Sequence, residues 1–170
     1  ARHSAVARHY VYVVYTSAVR SALFSNLYTR DPRQLDAQLM HEAGQLLLGE
    51  NDFSSYRASS CQSLTPMRNV HRLNVQRFGD LVVIDIEANA FLHHMVRNIA
   101  GVLLDIGAGR YPPGWAGELL SLKDRTRGSV TAPPTGLYLV DVVYPGVPEI
   151  PLGAALPHFL RGIGIGHAMK

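Results

Sequence analysis

The sequence has little cysteine, little lysine and no long apolar run. Its 170 residues contain one cysteine, Cys61, which excludes an internal disulfide framework and a multi-cysteine zinc or iron–sulfur site. A single thiol also favours a reducing compartment, and we expect the protein in the cytoplasm. No apolar run reaches the roughly 18 residues that a membrane span needs. Arginines and histidines interrupt the first twenty residues, so these do not read as a signal peptide, and we expect no membrane partner.

The residues that are present favour a folded domain with a mildly basic surface. Apolar residues make up 47% and charged residues 17%, which suffices for a sizeable core. The net charge is +3, and Lys123 and Lys170 are the only lysines among sixteen basic residues. Arginine suits phosphates and base edges, although a GC-rich genome would also explain the bias. The chain starts at Ala1 without a methionine, which predicts a fragment or a processed chain.

Side-chain periodicity predicts four strands and two long helices. Asp36 is the predicted N-cap of the first helix, and Gly79-Asp80 the turn of a hairpin. We interpret residues 50–69 as an ordered loop, residues 123–136 as a basic loop and the chain from Pro145 as a loosely packed tail. The strands are predicted at about 8–15, 70–77, 81–89 and 137–144, and the helices at 37–48 and 91–106, with a short helix after Pro112-Pro113.

This order of elements predicts the fold class. Strand, helix, strand, strand, helix, strand is the split βαβ arrangement of ferredoxin-like α+β domains, an antiparallel sheet with helices on one face. The first strand is apolar or aromatic on both faces, so we expect it to be central and covered on both sides. The opposite sheet face is expected to be free, as in many RNA-binding modules.

The helix predicted at 91–106 carries two candidate features. At about 100° per residue its apolar stripe points away from Arg97, which therefore lies off the sheet-facing side. A solvated surface arginine is the simplest interpretation. The doublet His93-His94 would diverge on a helix and could not hold one metal ion as an i, i+4 pair does. We therefore expect no metal site there.

Common catalytic motifs are missing. No glycine-rich loop follows a strand in a phosphate-binding pattern, and no serine-hydrolase elbow occurs. Cys61 could be a nucleophile, but a lone cysteine is more often a small packing residue.

Several literal motifs carry a resemblance. In order along about residues 1 to 145, they resemble the C-terminal domain of the bacterial tRNA pseudouridine synthase A family. The matching segments are Ala7-Arg8-His9-Tyr10-Val11-Tyr12, Gly49-Glu50-Asn51-Asp52-Phe53-Ser54-Ser55-Tyr56-Arg57, Cys61-Gln62-Ser63, Ala88-Asn89-Ala90-Phe91-Leu92-His93-His94-Met95-Val96-Arg97-Asn98-Ile99 and Gly136-Leu137-Tyr138-Leu139-Val140.

The resemblance implies the pseudouridine synthase fold and an isomerase. The family breaks the N1–C1′ bond of uridines at positions 38 to 40 of the tRNA anticodon stem-loop, turns the base and rejoins it through C5, with no cofactor and no metal. Its catalytic aspartate lies in an Arg-Thr-Asp motif of an N-terminal domain. That motif is absent here, since Thr29-Arg30-Asp31 has another order. We therefore expect the N-terminal domain to be missing and this fragment alone to be inactive.

The resemblance also implies site residues. Tyr10 matches the tyrosine that stacks on the target base, Arg97 the arginine that pairs with the catalytic carboxylate, and Leu137 an apolar wall of the uracil pocket. The alternative to these roles is that Tyr10 and Leu137 are core residues and that Arg97 is a charged surface residue. Phe91, His94 and Arg57 are further candidates for substrate binding.

Partners follow from the same resemblance. We expect tRNA as substrate, a homodimer, and a domain at 1–145 followed by a Pro/Gly-rich tail at 146–170. Six arginines are candidates for phosphate contacts whose strength falls with salt: Arg57, Arg68, Arg72, Arg97, Arg125 and Arg127.

Two other interpretations remain open. A non-catalytic RNA-binding or dimerisation module would use the same free sheet face, although the usual RNA-recognition signature is absent. A small metal-binding α+β protein would need a third ligand near His93 or His94, and the sequence offers none.

Overall fold

The computed structural model describes residues 4–22, 24–146 and 156–161. Six strands form one sheet, with helices packed on it. The strands are β1 Ala7–Tyr15, β2 Thr29–Arg30, β3 Gly49–Asp52, β4 Met67–Phe78, β5 Leu81–Ala88 and β6 Leu137–Val143; the helices are α1 Ala37–Gln45, α2 Met95–Gly107, α3 Trp115–Leu122 and α4 His158–Arg161. Two single 3₁₀ turns occupy Ser54–Tyr56 and Arg125–Arg127.

The sheet order confirms the predicted α+β class. The strands follow the order β2-β1-β5-β4-β3, and β6 pairs with β1 beside β2. Every pairing is antiparallel except the short parallel contact of β1 with β2, so the sheet is mixed. With β2 and β3 set aside, the order β6-β1-β5-β4 is that of a ferredoxin-like split βαβ unit. β1 is central, and Val11 to Val14 are fully buried, as predicted.

The main core lies between the sheet and helices α1, α2 and α3. Tyr12, Leu73 and Ile84 contribute from the strands, and Ile99 and Leu103 from α2. The Asp36 carboxylate caps α1 as predicted, accepting hydrogen bonds from the amides of Gln38 at 2.9 Å and Leu39 at 3.1 Å.

The other sheet face is not free along its whole length. Val11, Val13 and Val83 form a second cluster there with Leu156 and Leu160, and Leu160 has no exposed surface. The prediction of a loosely packed tail is therefore wrong for residues 156–161, because Leu160 of α4 and the preceding Leu156 are buried on the sheet. The rest of that tail beyond Gly146 lies outside the described residues.

Other boundaries differ from the predictions. The supposed loop at 50–69 contains β3, which has few strand-forming residues and exists because it pairs with β4. The supposed helix at 91–106 begins only at Met95, because His94 has a left-handed backbone with φ 60°. Within the described ranges, no helix is long and apolar enough to cross a membrane.

Candidate active site

Tyr10 projects from β1 on the helix-facing side of the sheet. Its ring meets that of Phe91 edge to face, with centroids 5.2 Å apart and planes at 89°. Neither ring is fully buried, although both touch the main core. Phe91 lies in the turn before α2, so the late start of that helix brings the two aromatic residues together.

A cavity of about 880 Å³ opens beside this aromatic pair. Tyr10, Phe91 and His94 all line it, together with Arg8, Arg68 and residues 60–63. The His93 amide donates to the Cys61 thiol at 3.4 Å, which ties residues 60–63 to the turn before α2. Three of the predicted site residues thus share one cavity.

The cavity carries positive charge. No aspartate or glutamate is among its described lining residues. Burial and the neighbouring charges of Arg57 and Arg8 lower the pKa of the Arg68 guanidinium. Burial of the Cys61 thiol is outweighed by two backbone N–H donors and by Arg57 and Arg68, which lower its pKa. The cavity therefore favours an anionic ligand.

Arg97 lies in the first turn of α2, three residues after His94, and is not among the residues that line the cavity. Its Nε donates to the Ala132 carbonyl at 2.7 Å, and the Ala132 amide donates to the Arg97 carbonyl at 3.1 Å. The two Nη atoms of Arg97 have no hydrogen-bond or ion-pair partner among the described residues. Burial, His93 and Arg97 together lower the pKa of His94, so the guanidinium acts electrostatically on a residue of the cavity wall.

Leu137 lies opposite Tyr12, two residues along β1 from Tyr10. It is partly buried against the main core. Gly136 sets the direction of the chain here, with φ +87°, and an added Cβ would lie 2.5 Å from the Val13 carbonyl oxygen. Only glycine fits this close approach.

Comparisons with known proteins give the family of this chain. A family model described as tRNA pseudouridine synthase matches residues 43–145. The chain belongs to the tRNA pseudouridine synthase family. Its relatives include proteins named tRNA pseudouridine synthase A from Legionella pneumophila (strain Corby), 60% identical over 145 residues, from Actinobacillus pleuropneumoniae serotype 7 (strain AP76), 55% over 156, and from Haemophilus influenzae (strain 86-028NP), 54% over 170.

This tRNA pseudouridine synthase family member covers only part of those relatives. The three alignments take in 85%, 90% and 100% of this chain, but 55%, 60% and 63% of the relatives. The chain thus spans little more than half the length of the curated relatives it matches.

Other arginines singled out in the sequence have other contacts. Arg57 donates to the Cys61 carbonyl at 3.2 Å and lies behind the cavity wall. Arg125 donates to the side chains of Asn98 and Thr131 at 3.0 and 2.9 Å. Arg72 lies on the opposite sheet face, 3.4 Å from Asp85. Arg72 and Arg125 therefore serve the fold rather than the cavity.

No carboxylate of the described residues pairs with Arg97. Asp85 is 1% exposed and contacts His9 at 2.5 Å on the opposite sheet face. Asp31 is held by Arg33, which also binds Asp105 at 2.8 Å. Among the described residues of this tRNA pseudouridine synthase family member, the Arg97 guanidinium thus has no carboxylate partner.

One expectation about the histidines and one omission need correction. His93 and His94 do not diverge on a helix; they lie in the preceding turn with ring centroids 3.9 Å apart. In the described ranges, no group of three or more His, Cys, Asp or Glu side chains could hold a metal ion. Sequence reasoning missed Tyr12, whose hydroxyl contacts the segment that holds Arg97. Its alternation with Tyr10 on one strand face was the available signal.

Proposed function

We propose that this chain forms one wall of the catalytic cleft of a tRNA pseudouridine synthase. The substrate is uridine at positions 38 to 40 of the anticodon stem-loop, isomerised without a cofactor. The observation that carries the proposal is the Arg97 guanidinium, fixed through Nε on Ala132 and unpaired at both Nη atoms among the described residues. Its charge acts on His94, which lines the Tyr10–Phe91 cavity. Membership of the tRNA pseudouridine synthase family supports interpreting this arrangement as part of a uridine-binding site.

Arg97 is the proposed partner of the catalytic carboxylate. A guanidinium presents two parallel N–H donors to a carboxylate and retains capacity for a phosphate or base edge. Since Nε already donates to Ala132, the outer Nη edge is oriented and available for a group outside the described residues. We propose that an aspartate of an N-terminal domain supplies it, and that the 170-residue chain alone is inactive.

Tyr10 is the proposed stacking platform for the uracil ring. A uridine inside a stem is unreachable, so the enzyme must extrude it into a pocket lined by aromatic and apolar groups. The edge-to-face contact with Phe91 holds the Tyr10 ring in place, and Leu137, opposite Tyr12 on β6, is the proposed apolar wall. In the reaction the N1–C1′ bond breaks, C1′ bonds to C5, and the proton lost from C5 is balanced by one gained at N1.

The tRNA backbone is proposed to contact the basic cavity rim. Arg68 lines the cavity and Arg57 lies close behind it. Phosphates would relieve the mutual repulsion of these guanidinium groups, which supports binding of a polyanion. The proposed compartment is the cytoplasm, where tRNA is modified.

The decisive experiment uses the intact gene product that contains these residues, with unmodified tRNA and mapping of pseudouridine. Arg97→Ala should lower turnover by at least about 100-fold, the order expected for loss of one charge-stabilising donor, with tRNA affinity largely kept. Arg110→Ala, at an exposed arginine three residues beyond the end of α2, is the control and should retain turnover. Unchanged turnover in Arg97→Ala would refute the catalytic role and favour a non-catalytic RNA-binding or dimerisation module.

The 170-residue chain, assayed alone under the same conditions, should form no pseudouridine above background. Any turnover would refute the proposal that the carboxylate comes from elsewhere. We also propose a homodimer. Sedimentation equilibrium of the intact product checks it, and a monomer at every concentration would contradict it.

A further inference from the structure

Residues 130–135 form the segment against which Arg97 is held. Pro133 and Pro134 stiffen it, because each proline fixes its own φ. At one end, the Thr131 hydroxyl donates to the Asn98 side chain at 2.7 Å. At the other end, the Thr29 hydroxyl donates to the Thr135 carbonyl at 2.6 Å. The carbonyl that accepts from Arg97 therefore has a fixed position.

The Tyr12 hydroxyl holds the middle of this segment. It donates to the Pro133 carbonyl at 2.8 Å and lies 2.6 Å from the Thr29 hydroxyl. Two hydroxyl protons are available for these three contacts, so only two of the contacts are hydrogen bonds at any one time. The two hydroxyls therefore depend on each other, and loss of either one removes a proton from the set. Burial raises the pKa of Tyr12 to about 12, so the group remains a donor at neutral pH.

We propose that Tyr12 is a positioning residue for Arg97, acting through Pro133 and the neighbouring Ala132 carbonyl. The inference rests on the proposed function. Tyr12 does not line the cavity; it fixes the acceptor that orients the guanidinium. Tyr10 lies two residues earlier on the same face of β1, so one strand sets the places of both the stacking ring and the arginine.

The first test is Tyr12→Phe in the intact gene product, with Tyr56→Phe as matched control. Both tyrosines have no exposed surface, and each donates to a backbone carbonyl at 2.8 Å, Tyr56 to Ala116 of α3. Tyr12→Phe should lower kcat about tenfold with KM for tRNA unchanged within about twofold, since small misplacements of a catalytic group are costly. Tyr56→Phe should leave kcat near the wild-type value. Equal kcat values in the two variants would overturn the proposal.

Thr29 supplies a rescue test. Thr29→Val removes the hydroxyl that contacts Tyr12 and Thr135, whereas Thr29→Ser keeps it. The valine variant should repeat the kcat loss of Tyr12→Phe, and the serine variant should restore most of the activity. If serine and valine behave alike, the hydroxyl has no positioning role.

A second readout requires no activity. In the 170-residue chain, NMR of arginine side chains should show the Arg97 Nε–H protected from solvent exchange. Tyr12→Phe should speed this exchange at least several-fold, and Tyr56→Phe should not change it. Unchanged exchange in Tyr12→Phe refutes the proposal. A wild-type product that makes no pseudouridine refutes the proposed function instead, and the exchange measurement still decides the role of Tyr12.

Discussion

Arg97 is the one residue of α2 that is not buried. Helical periodicity correctly separated it from the sheet-facing stripe but assigned its side of the helix to solvent. That side is covered by residues 130–135, which approach so closely at Gly101 that an added Cβ would lie 2.2 Å from the Val130 carbonyl oxygen. Arg97 thus lies at the edge of the contact between α2 and residues 130–135.

The pKa of His94 depends in part on the charge of Arg97. Burial, His93 and Arg97 lower the pKa of His94, so NMR titration of the 170-residue chain should give a midpoint below the usual value of about 6.5. Arg97→Gln should raise that midpoint, though not fully, because burial is the larger cause. Since the folded-state pKa is depressed, His94 contributes stability that is present above its unfolded pKa and lost as the pH falls.

Arg110→Gln is the control for this titration and should leave the His94 midpoint unchanged. A midpoint at or above 6.5, or one unaffected by Arg97→Gln, would contradict the placement of the guanidinium beside His94.

At the scale of single elements, a bulge in β4 decides which arginines face the cavity. Arg68 and Arg72 are four residues apart, which in a regular strand places them on one face. The register shifts between Val70 and Arg72, so the two arginines lie on opposite faces. A bulge adds one residue on one strand and reverses the alternation beyond it.

Two helix glycines test the packing of α2 against residues 130–135. Alanine normally stabilises a helix interior by about 1 kcal/mol relative to glycine. Gly101→Ala should instead destabilise the chain by about 1–3 kcal/mol, because the new Cβ meets the Val130 carbonyl oxygen. Gly117→Ala in α3 is the control, since its Cβ would make an ordinary 3.6 Å contact with Leu46. Urea unfolding measures both, and a stabilising Gly101→Ala would contradict the close approach.

Helix α4 is the element most open to a stability test. Leu160→Ala should lower the free energy of unfolding by about 2–5 kcal/mol, as for other buried leucines. Leu122→Ala, at a leucine that is 48% exposed, should cost no more than about 0.5 kcal/mol. Thermal unfolding measures both variants. If Leu160→Ala cost as little stability as Leu122→Ala, α4 would not pack on the sheet.

At the scale of the whole molecule, the modest net charge of +3 matters less than its placement. The 170-residue chain should bind tRNA with an affinity that falls with salt, and Arg68→Gln should reduce the slope of log K against log salt by about 1. Arg110→Gln, three residues beyond the end of α2, should leave the slope unchanged. Filter binding at several salt concentrations measures both, and equal slopes in the two variants would exclude the cavity rim as the phosphate surface.

Local pattern predicted most of the sheet and one helix cap. β1, β4 and β5 follow from their β-branched and alternating residues, the hairpin from Gly79-Asp80, and the start of α1 from Asp36. β2 and β3 were missed because they are short and form only by pairing with longer strands. α4 was missed because a Pro/Gly-rich segment gives little sign of the apolar face it will bury.

The candidate site was also predicted only in part from the sequence. Motif resemblance selected six residues: Tyr10, Arg97, Leu137, Phe91, His94 and Arg57. Tyr10, Phe91 and His94 line one cavity, whereas Arg97, Leu137 and Arg57 do not line it, although the charge of Arg97 acts on His94. Tyr12 went unnoticed because its role depends on Pro133, which lies 121 residues away. No sequence pattern links positions so far apart.

By itself, the sequence determined the α+β class, the central position of β1 and the family. The class and the position of β1 depend on local side-chain pattern and on the order of elements, and the family depends on the resemblance of literal motifs. Only the tertiary structure decided which face each arginine takes, where α2 begins and what orients Arg97. Those features depend on a bulge, on one left-handed residue and on hydrogen bonds between distant segments, whose energies become defined only when the packed chain brings the groups together.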